Sequence, residues 1–314
     1  MRLVFLGTPA FAVPSLERIA AAGHSVLAVV TQPDRPRGRG HHPAPPPVKQ
    51  AALLLGLPVY QPERVRRPEA VEFLRAIPVD AMVVVGYGQI IPQSILDMAP
   101  LGIVNVHGSL LPRYRGAGPV QWAILNGETR TGVTTMRIDA GLDTGDMLLK
   151  AETAIDPDEN AVELGQRLSL MGADLLVETL AGLAEGRIVP EKQDQAQATY
   201  APLLKKEDGA IDWTRDARAI HNQVRGLQPW PGARTTFRDQ ALQLWRTRQW
   251  GGGLAQRDAR PGVLVSVKPP VVGCGFGYLE LLEVQIEGRK RMAAADFANG
   301  QRLTENEVLG DPRP

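Results

Sequence analysis

Over roughly its first 155 residues the chain alternates short β-branched runs with amphipathic segments, which commits it to βαβ units and an open α/β sheet. Residues 2–6 (R-L-V-F-L) read as a short buried strand. After G-T-P, residues 14–22 open with Pro14 and place Leu16, Ile19 and Ala20 on one face, the pattern of a helix with proline in its first turn. Strands are expected at 25–31, 81–86 and 102–107, a helix over 48–56 stopped by Gly56, and a short helix over 92–98 after Pro92. A helix at 119–126, a strand pair at 132–138 and 147–155 and one long helix over 161–185 complete this part. Ligands of open sheets collect at the carboxyl ends of strands. Segments 86–91, 105–116 and 139–146 each follow a strand and are expected to meet at one edge.

Residues 187–209 are polar and Gln-rich and read as a linker. Beyond them, after a helix at about 214–226, short alternating segments at 241–246, 262–267 and 278–286 are separated by Gly and Pro, a spacing that suggests a small β-barrel. The expected division is therefore 1–187, a linker at 188–209, and 210–314.

The 314 residues suffice for two domains with substantial cores, and 44% hydrophobic with 22% charged residues describes a soluble globular protein. No apolar run approaches the ~20 residues that span a bilayer, and the first residues lack a signal peptide's organisation. The single cysteine, Cys274, excludes an intramolecular disulfide and fits a reducing cytoplasm; it reads as structural. The net charge of +1 is uninformative, but its distribution is not. Residues 1–204 hold 18 Lys+Arg against 21 Asp+Glu, and 205–314 hold 17 against 13. A basic back half is compatible with a polyanion lying across it.

The chemistry is concentrated in N-V-H-G-S-L-L-P-R-Y-R-G (105–116). Asn105 and His107 are two residues apart, so on a strand both point to the same side. G-L-D-T-G-D (141–146) offers Asp143 to the same region. An amide can hold a developing oxyanion, an imidazole can move a proton, and a carboxylate can orient the imidazole, the set that acyl or formyl transfer requires. Singly, the three read as a turn cap, a core histidine and a loop carboxylate. Ser109 lacks a nucleophile elbow and reads as a polar contact or cap. The G-x-G-x-x-G spacing is missing after the first strand, as is a phosphate-cradling G-x-x-x-x-G-K-S/T loop. His41 and His42 have no partner at metal spacing, so no metal is expected.

Together with G-T-P-A-F-A (7–12), T-Q-P-D-R-P-R-G-R-G (31–40) and I-D-W (211–213), these motifs resemble the folate-dependent formyltransferases over nearly the whole chain. The arginine-rich loop and the C-terminal extension point to the members of that family that act on a charged tRNA. The resemblance implies a Rossmann-like formyltransferase domain with an open twisted sheet, followed by a small OB-like β-barrel domain that binds tRNA. It implies that the co-substrate is 10-formyltetrahydrofolate and the acceptor the amino group of methionyl initiator tRNA. Asn105, His107 and Asp143 would be catalytic. Tyr87, Ser109, Leu110, Leu111, Pro112 and Asp139 would frame the folate. Arg35, Arg37 and Arg39 in the 31–49 loop, with Lys205 and Lys206, would contact the tRNA. Arg39 matches the family's principal contact. No membrane partner is expected, and the chain is expected to be cytoplasmic and monomeric. Other acceptors (a ribonucleotide amine, an amino sugar nucleotide, water) and an RNA-binding module on an inactive fold are the competing readings.

Overall fold

The computed structural model describes residues 1–37, 42–251 and 260–310. In chain order its elements begin with β1 (Arg2–Gly7), α1 (Val13–Ala21), β2 (Ser25–Val30), β3 (Arg35–Arg37), β4 (His42–Ala44), α2 (Pro47–Leu54), β5 (Val59–Tyr60), α3 (Pro68–Arg75) and β6 (Ala81–Val85). There follow α4 (Gln93–Leu96), β7 (Ile103–His107), α5 (Pro119–Leu125), β8 (Arg130–Arg137), β9 (Met147–Ala154) and α6 (Ala161–Ala184). The last are α7 (Ala217–Gly226), β10 (Ala233–Phe237), β11 (Gln240–Gln249), β12 (Leu264–Val267), β13 (Pro270–Gly273), β14 (Tyr278–Ile286), β15 (Met292–Ala293) and α8 (Ala294–Gln301).

The chain forms two compact units, each discontinuous in sequence: Met1–Pro119 with Thr131–Thr153 and Gly165–Ala201, and Val120–Arg130 with Ala154–Leu164 and Pro202–Pro314. The first carries a seven-stranded sheet in the order β5-β2-β1-β6-β7-β8-β9. From β5 to β7 neighbouring strands are parallel, and β8 runs antiparallel to β7. β1 and β6 are buried almost throughout because both faces are covered, which is why they read as unbroken apolar runs. Strand alternation sorts their side chains cleanly. Leu3, Phe5, Val83, Val85, Val104 and Val106 pack with α1, α2 and α6, whereas Val4, Leu6, Met82, Val84 and Ile103 pack with α3 and α4.

The polar stretch after α6 is laid along the first unit. Met147 and Glu191 exchange two main-chain hydrogen bonds of 2.8 Å, and Arg115 N–H donates to the Thr199 carbonyl at 2.8 Å. Its polarity reflects side chains that bond inward as well as outward.

The second unit holds a six-stranded antiparallel sheet, β10-β11-β14-β13-β12 with β15 beside β14. Its core gathers Trp213, Ile220, Leu244, Leu279 and Phe297. α7 is capped by Asp216, whose carboxylate accepts from Ala219 N–H at 2.6 Å.

Within the 31–49 loop, β3 and β4 pair antiparallel, Arg35 with Ala44 and Arg37 with His42. The base of the loop is tied by Lys49, 2.7 Å from the Asp34 carboxylate, and Gln61 also donates to that carboxylate. These two donors, Gln61 first, hold the Asp34 carboxyl below the usual carboxylate range.

Candidate active site

Asn105 and His107 occupy alternate positions of β7, on the face that also carries Ile103. Asn105 is half-buried and pairs in register with Val84 on one side and Met136 on the other. His107 is 5% exposed. Its Nε2 donates to the Tyr114 carbonyl at 2.8 Å, because a carbonyl can only accept. Nδ1 is then the nitrogen left for chemistry, and it stands 3.7 Å from Asp143 Oδ2. That separation is too long for a hydrogen bond, so Nδ1 keeps no hydrogen-bond partner among the described residues.

The route by which Asp143 arrives differs from the expected one. Because β8 is antiparallel to β7, its last residues lie beside the start of β7, where Ile138 N–H donates to the Ile103 carbonyl at 2.9 Å. The loop after β8 therefore leaves from the opposite end of β7 and folds back until Asp143 reaches His107. Segment 105–116 extends from the carboxyl end of the sheet; the 139–146 loop does not.

The loop is shaped from within. Asp139 Oδ1 accepts from Thr144 Oγ1 at 2.7 Å and from Gly141 N–H at 3.0 Å, a local turn made by a side chain. Asp143 adopts φ +51°, in the left-handed region that Asp tolerates better than most residues. Its Oδ2 accepts from Gly116 N–H at 2.8 Å. Gly116 itself needs to be glycine: φ is +114°, and a Cβ would stand 2.8 Å from the Ala201 carbonyl oxygen.

The residues named for folate separate into two groups. Tyr87 is 1% exposed, with its ring in the α3/α4 core, and burial raises its hydroxyl to about 12. Ser109 is fully buried, donates to the Arg113 carbonyl at 2.6 Å and offers its own carbonyl to Thr134 Oγ1 at 2.7 Å. Leu111 packs against Met136 and Met147. A bound ligand would meet these three through main chain. Leu110, Pro112 and Asp139 keep side-chain surface. Asp139 also lines a cavity of about 260 Å3 beside α4, with Asp97, Ile103, Arg137 and Ile138.

Thr134 and Gln193 were not legible as site residues, and the R-Y-R-G motif left Arg115 without a role. Thr134 sits opposite His107 in the β7–β8 register and pins the turn through Ser109 and Leu111. Gln193 lies 78 positions from the Arg115 it binds, a separation no local pattern reveals.

Of the residues named for tRNA, Arg35, Lys205 and Lys206 are exposed. Arg39 lies outside the described residues, as does the side chain of Arg37. The basic surface expected of residues 205–314 is thinner than its count. Arg225 is buried against the Asp156 and Glu159 carbonyls, while Arg238 pairs with Glu307 and Arg248 with Glu280. Among the described residues no group of three or more His, Cys, Asp or Glu could hold a metal ion, and no helix is long and apolar enough to cross a membrane.

A family profile described as formyl transferase matches residues 1–180, and its C-terminal counterpart matches 203–302. The chain belongs to the formyl transferase family. It is 72% identical over 311 residues to the methionyl-tRNA formyltransferase of Solibacter usitatus, covering 99% of each chain. It is 52% identical to that of Citrifermentans bemidjiense, covering 99% of this chain and 96% of the relative. The fold matches the solved methionyl-tRNA formyltransferase from Clostridium thermocellum with a TM-score of 0.56 at 18% identity, over 81% of this chain and 96% of that one. It also matches HypX from Aquifex aeolicus, solved with tetrahydrofolic acid, with a TM-score of 0.66 at 16% identity. There it covers 98% of this chain but spans 48% of HypX, a likeness of fold alone.

Proposed function

We propose that this member of the formyl transferase family moves a formyl group from 10-formyltetrahydrofolate to the α-amino group of methionyl initiator tRNA. The observation that carries the reading is the uncommitted Nδ1 of His107 beside Asp143, on the strand face that also carries Asn105.

The acceptor amine adds to the formyl carbon and the carbonyl oxygen takes up the electron pair. The Asn105 side-chain amide and His107 Nδ1–H donate to that oxygen; a preorganised donor of this kind contributes roughly 10²–10³ in rate. The amine sheds a proton through water to Asp143. Collapse of the tetrahedral species breaks the bond to the folate nitrogen, which takes its proton from His107. Asp143 then returns a proton to the imidazole. No covalent enzyme intermediate is needed, and Cys274, buried and held at about 12 by that burial, is no nucleophile.

The folate would lie along the face of Asn105, between the loop after β6 and the loop after β8. The tRNA would be held by the 31–49 loop, through Arg35, Arg37 and Arg39, and by Lys205 and Lys206. We read the chain as cytoplasmic and monomeric. Incubation with 10-formyltetrahydrofolate and charged initiator tRNA should yield N-formylmethionine, while uncharged tRNA, a free amine and an amino sugar nucleotide should not. Formylation of the sugar amine but not of the charged tRNA would refute the acceptor assignment.

A further inference from the structure

Arg115 is 1% exposed, the largest fully buried side chain among the described residues. A buried guanidinium is ordinarily matched by a carboxylate, since an uncompensated charge in a low-dielectric interior is costly. Here its partners are two amides. Nε and Nη2 donate to Gln193 Oε1 at 3.0 and 2.7 Å, and Nη1 donates to Gln195 Oε1 at 2.8 Å.

Gln193 is 6% exposed. Arginine can only donate, so it compels the Gln193 amide to present its oxygen to the guanidinium and its NH2 in the other direction. That NH2 donates to the Asp143 carbonyl and to the Gly145 carbonyl, each at 2.8 Å. Every donor and acceptor of the amide is thus assigned, and reversal would set its NH2 against the guanidinium. The carbonyl it grips belongs to Asp143, whose φ of +51° is a conformation that a non-glycine residue keeps only when its surroundings over-determine it. The next residue along from Arg115, Gly116, supplies the N–H that holds the Asp143 carboxylate. The Arg115–Gly116 pair therefore holds Asp143 twice, its main chain through Gln193 and its carboxylate through the Gly116 N–H.

We propose that Arg115 and Gln193 are positioning residues for formyl transfer: the buried guanidinium fixes the Gln193 amide, and the amide holds the Asp143 backbone so that its carboxylate faces His107. The proposal rests on the reading of Asp143 as part of the transfer chemistry. The partners are neutral because a carboxylate at 193 would satisfy the guanidinium but could not donate to the two carbonyls.

Gln193→Glu tests this directly, since it keeps a partner for Arg115 and turns the donation to the loop into a carboxylate oxygen set against the Asp143 and Gly145 carbonyls. Expected is a fall in kcat of about 10–100-fold with little change in either KM, the consequence of sub-ångström misplacement rather than lost binding. Asp143→Asn should lower kcat by at least as much, and the double variant should be scarcely worse than Asp143→Asn alone, because both act through one group. In the resting protein, the 15N signals of the His107 ring in Gln193→Glu should move toward those of Asp143→Asn. Independent, multiplying losses, or unmoved His107 signals, would overturn the proposal. Should Gln193→Glu not fold, Gln193→Met, neutral and similar in length, enters the same cycle with the same outcomes. The ring signals need no turnover, so an inactive wild type would refute the functional reading while the NMR comparison still decides the clamp.

Discussion

His107 faces Asp143 across 3.7 Å with its Nδ1, while its Nε2 is committed to the Tyr114 carbonyl 2.8 Å away. Both main-chain residues that flank the imidazole, Tyr114 at φ +61° and Asp143 at φ +51°, sit in the left-handed region. The ring is held by backbone that is itself unusual, which is what a preorganised site requires. Replacing Asp143 by Asn keeps the shape and the bond from Gly116 but removes the charge beside Nδ1. Turnover should fall by about 10²–10⁴-fold with unfolding temperature nearly unchanged; single-turnover formylation beside a thermal melt checks both.

Asn105 shares its strand face with His107 and is half-buried, so it can donate into the space above β7. Asn105→Ala should lower kcat by about 10²–10³-fold and leave folate affinity close to wild type, the behaviour of a donor whose bond strengthens only as the oxyanion forms. Equilibrium titration with a folate analogue separates the two quantities.

Two of these three residues were legible together, because strand alternation puts positions two apart on one side whatever the fold. Asp143 was legible as a residue but not as a route: its approach depends on β8 running against β7, and strand direction leaves no mark in residue pattern. The buried strands were legible for a related reason, since β1 and β6 must be apolar on both faces. α3 and α8 went unread although α3 carries Ala70, Val71 and Leu74 on one helical face. The β3–β4 pairing was hidden because Arg, Gly and Pro argue against a helix without arguing for a pairing partner. Arg115 and Gln193 were beyond reach, since only the folded chain brings them together.

In the second unit, His221 is buried, with Nδ1 against Thr247 Oγ1 and Nε2 donating to the Pro157 carbonyl, each at 3.0 Å. Burial, the largest effect, lowers its folded value from 6.5. The unfolded chain then takes the proton first as pH falls, so the stability His221 contributes is complete above about 6.5 and is lost progressively below it. His221→Gln should flatten that part of the profile. Denaturant unfolding at several pH values between about 7.5 and 5 tests this, and an unchanged slope would contradict it.

Arg39 is expected to act on tRNA alone. Arg39→Ala should lower kcat/KM for charged tRNA and steepen no folate effect, and Arg39→Lys should rescue poorly if the planar guanidinium forks or stacks on the RNA. Unchanged tRNA kinetics after Arg39→Ala, measured at two salt concentrations, would remove the arm from the recognition surface.

The most direct test of the account is single-turnover formylation of charged initiator tRNA by His107→Ala, with both substrates saturating and folding checked by thermal melt. The expected rate is about 10²–10⁴-fold below wild type in a protein that melts normally. Near-normal formylation by that variant would contradict it.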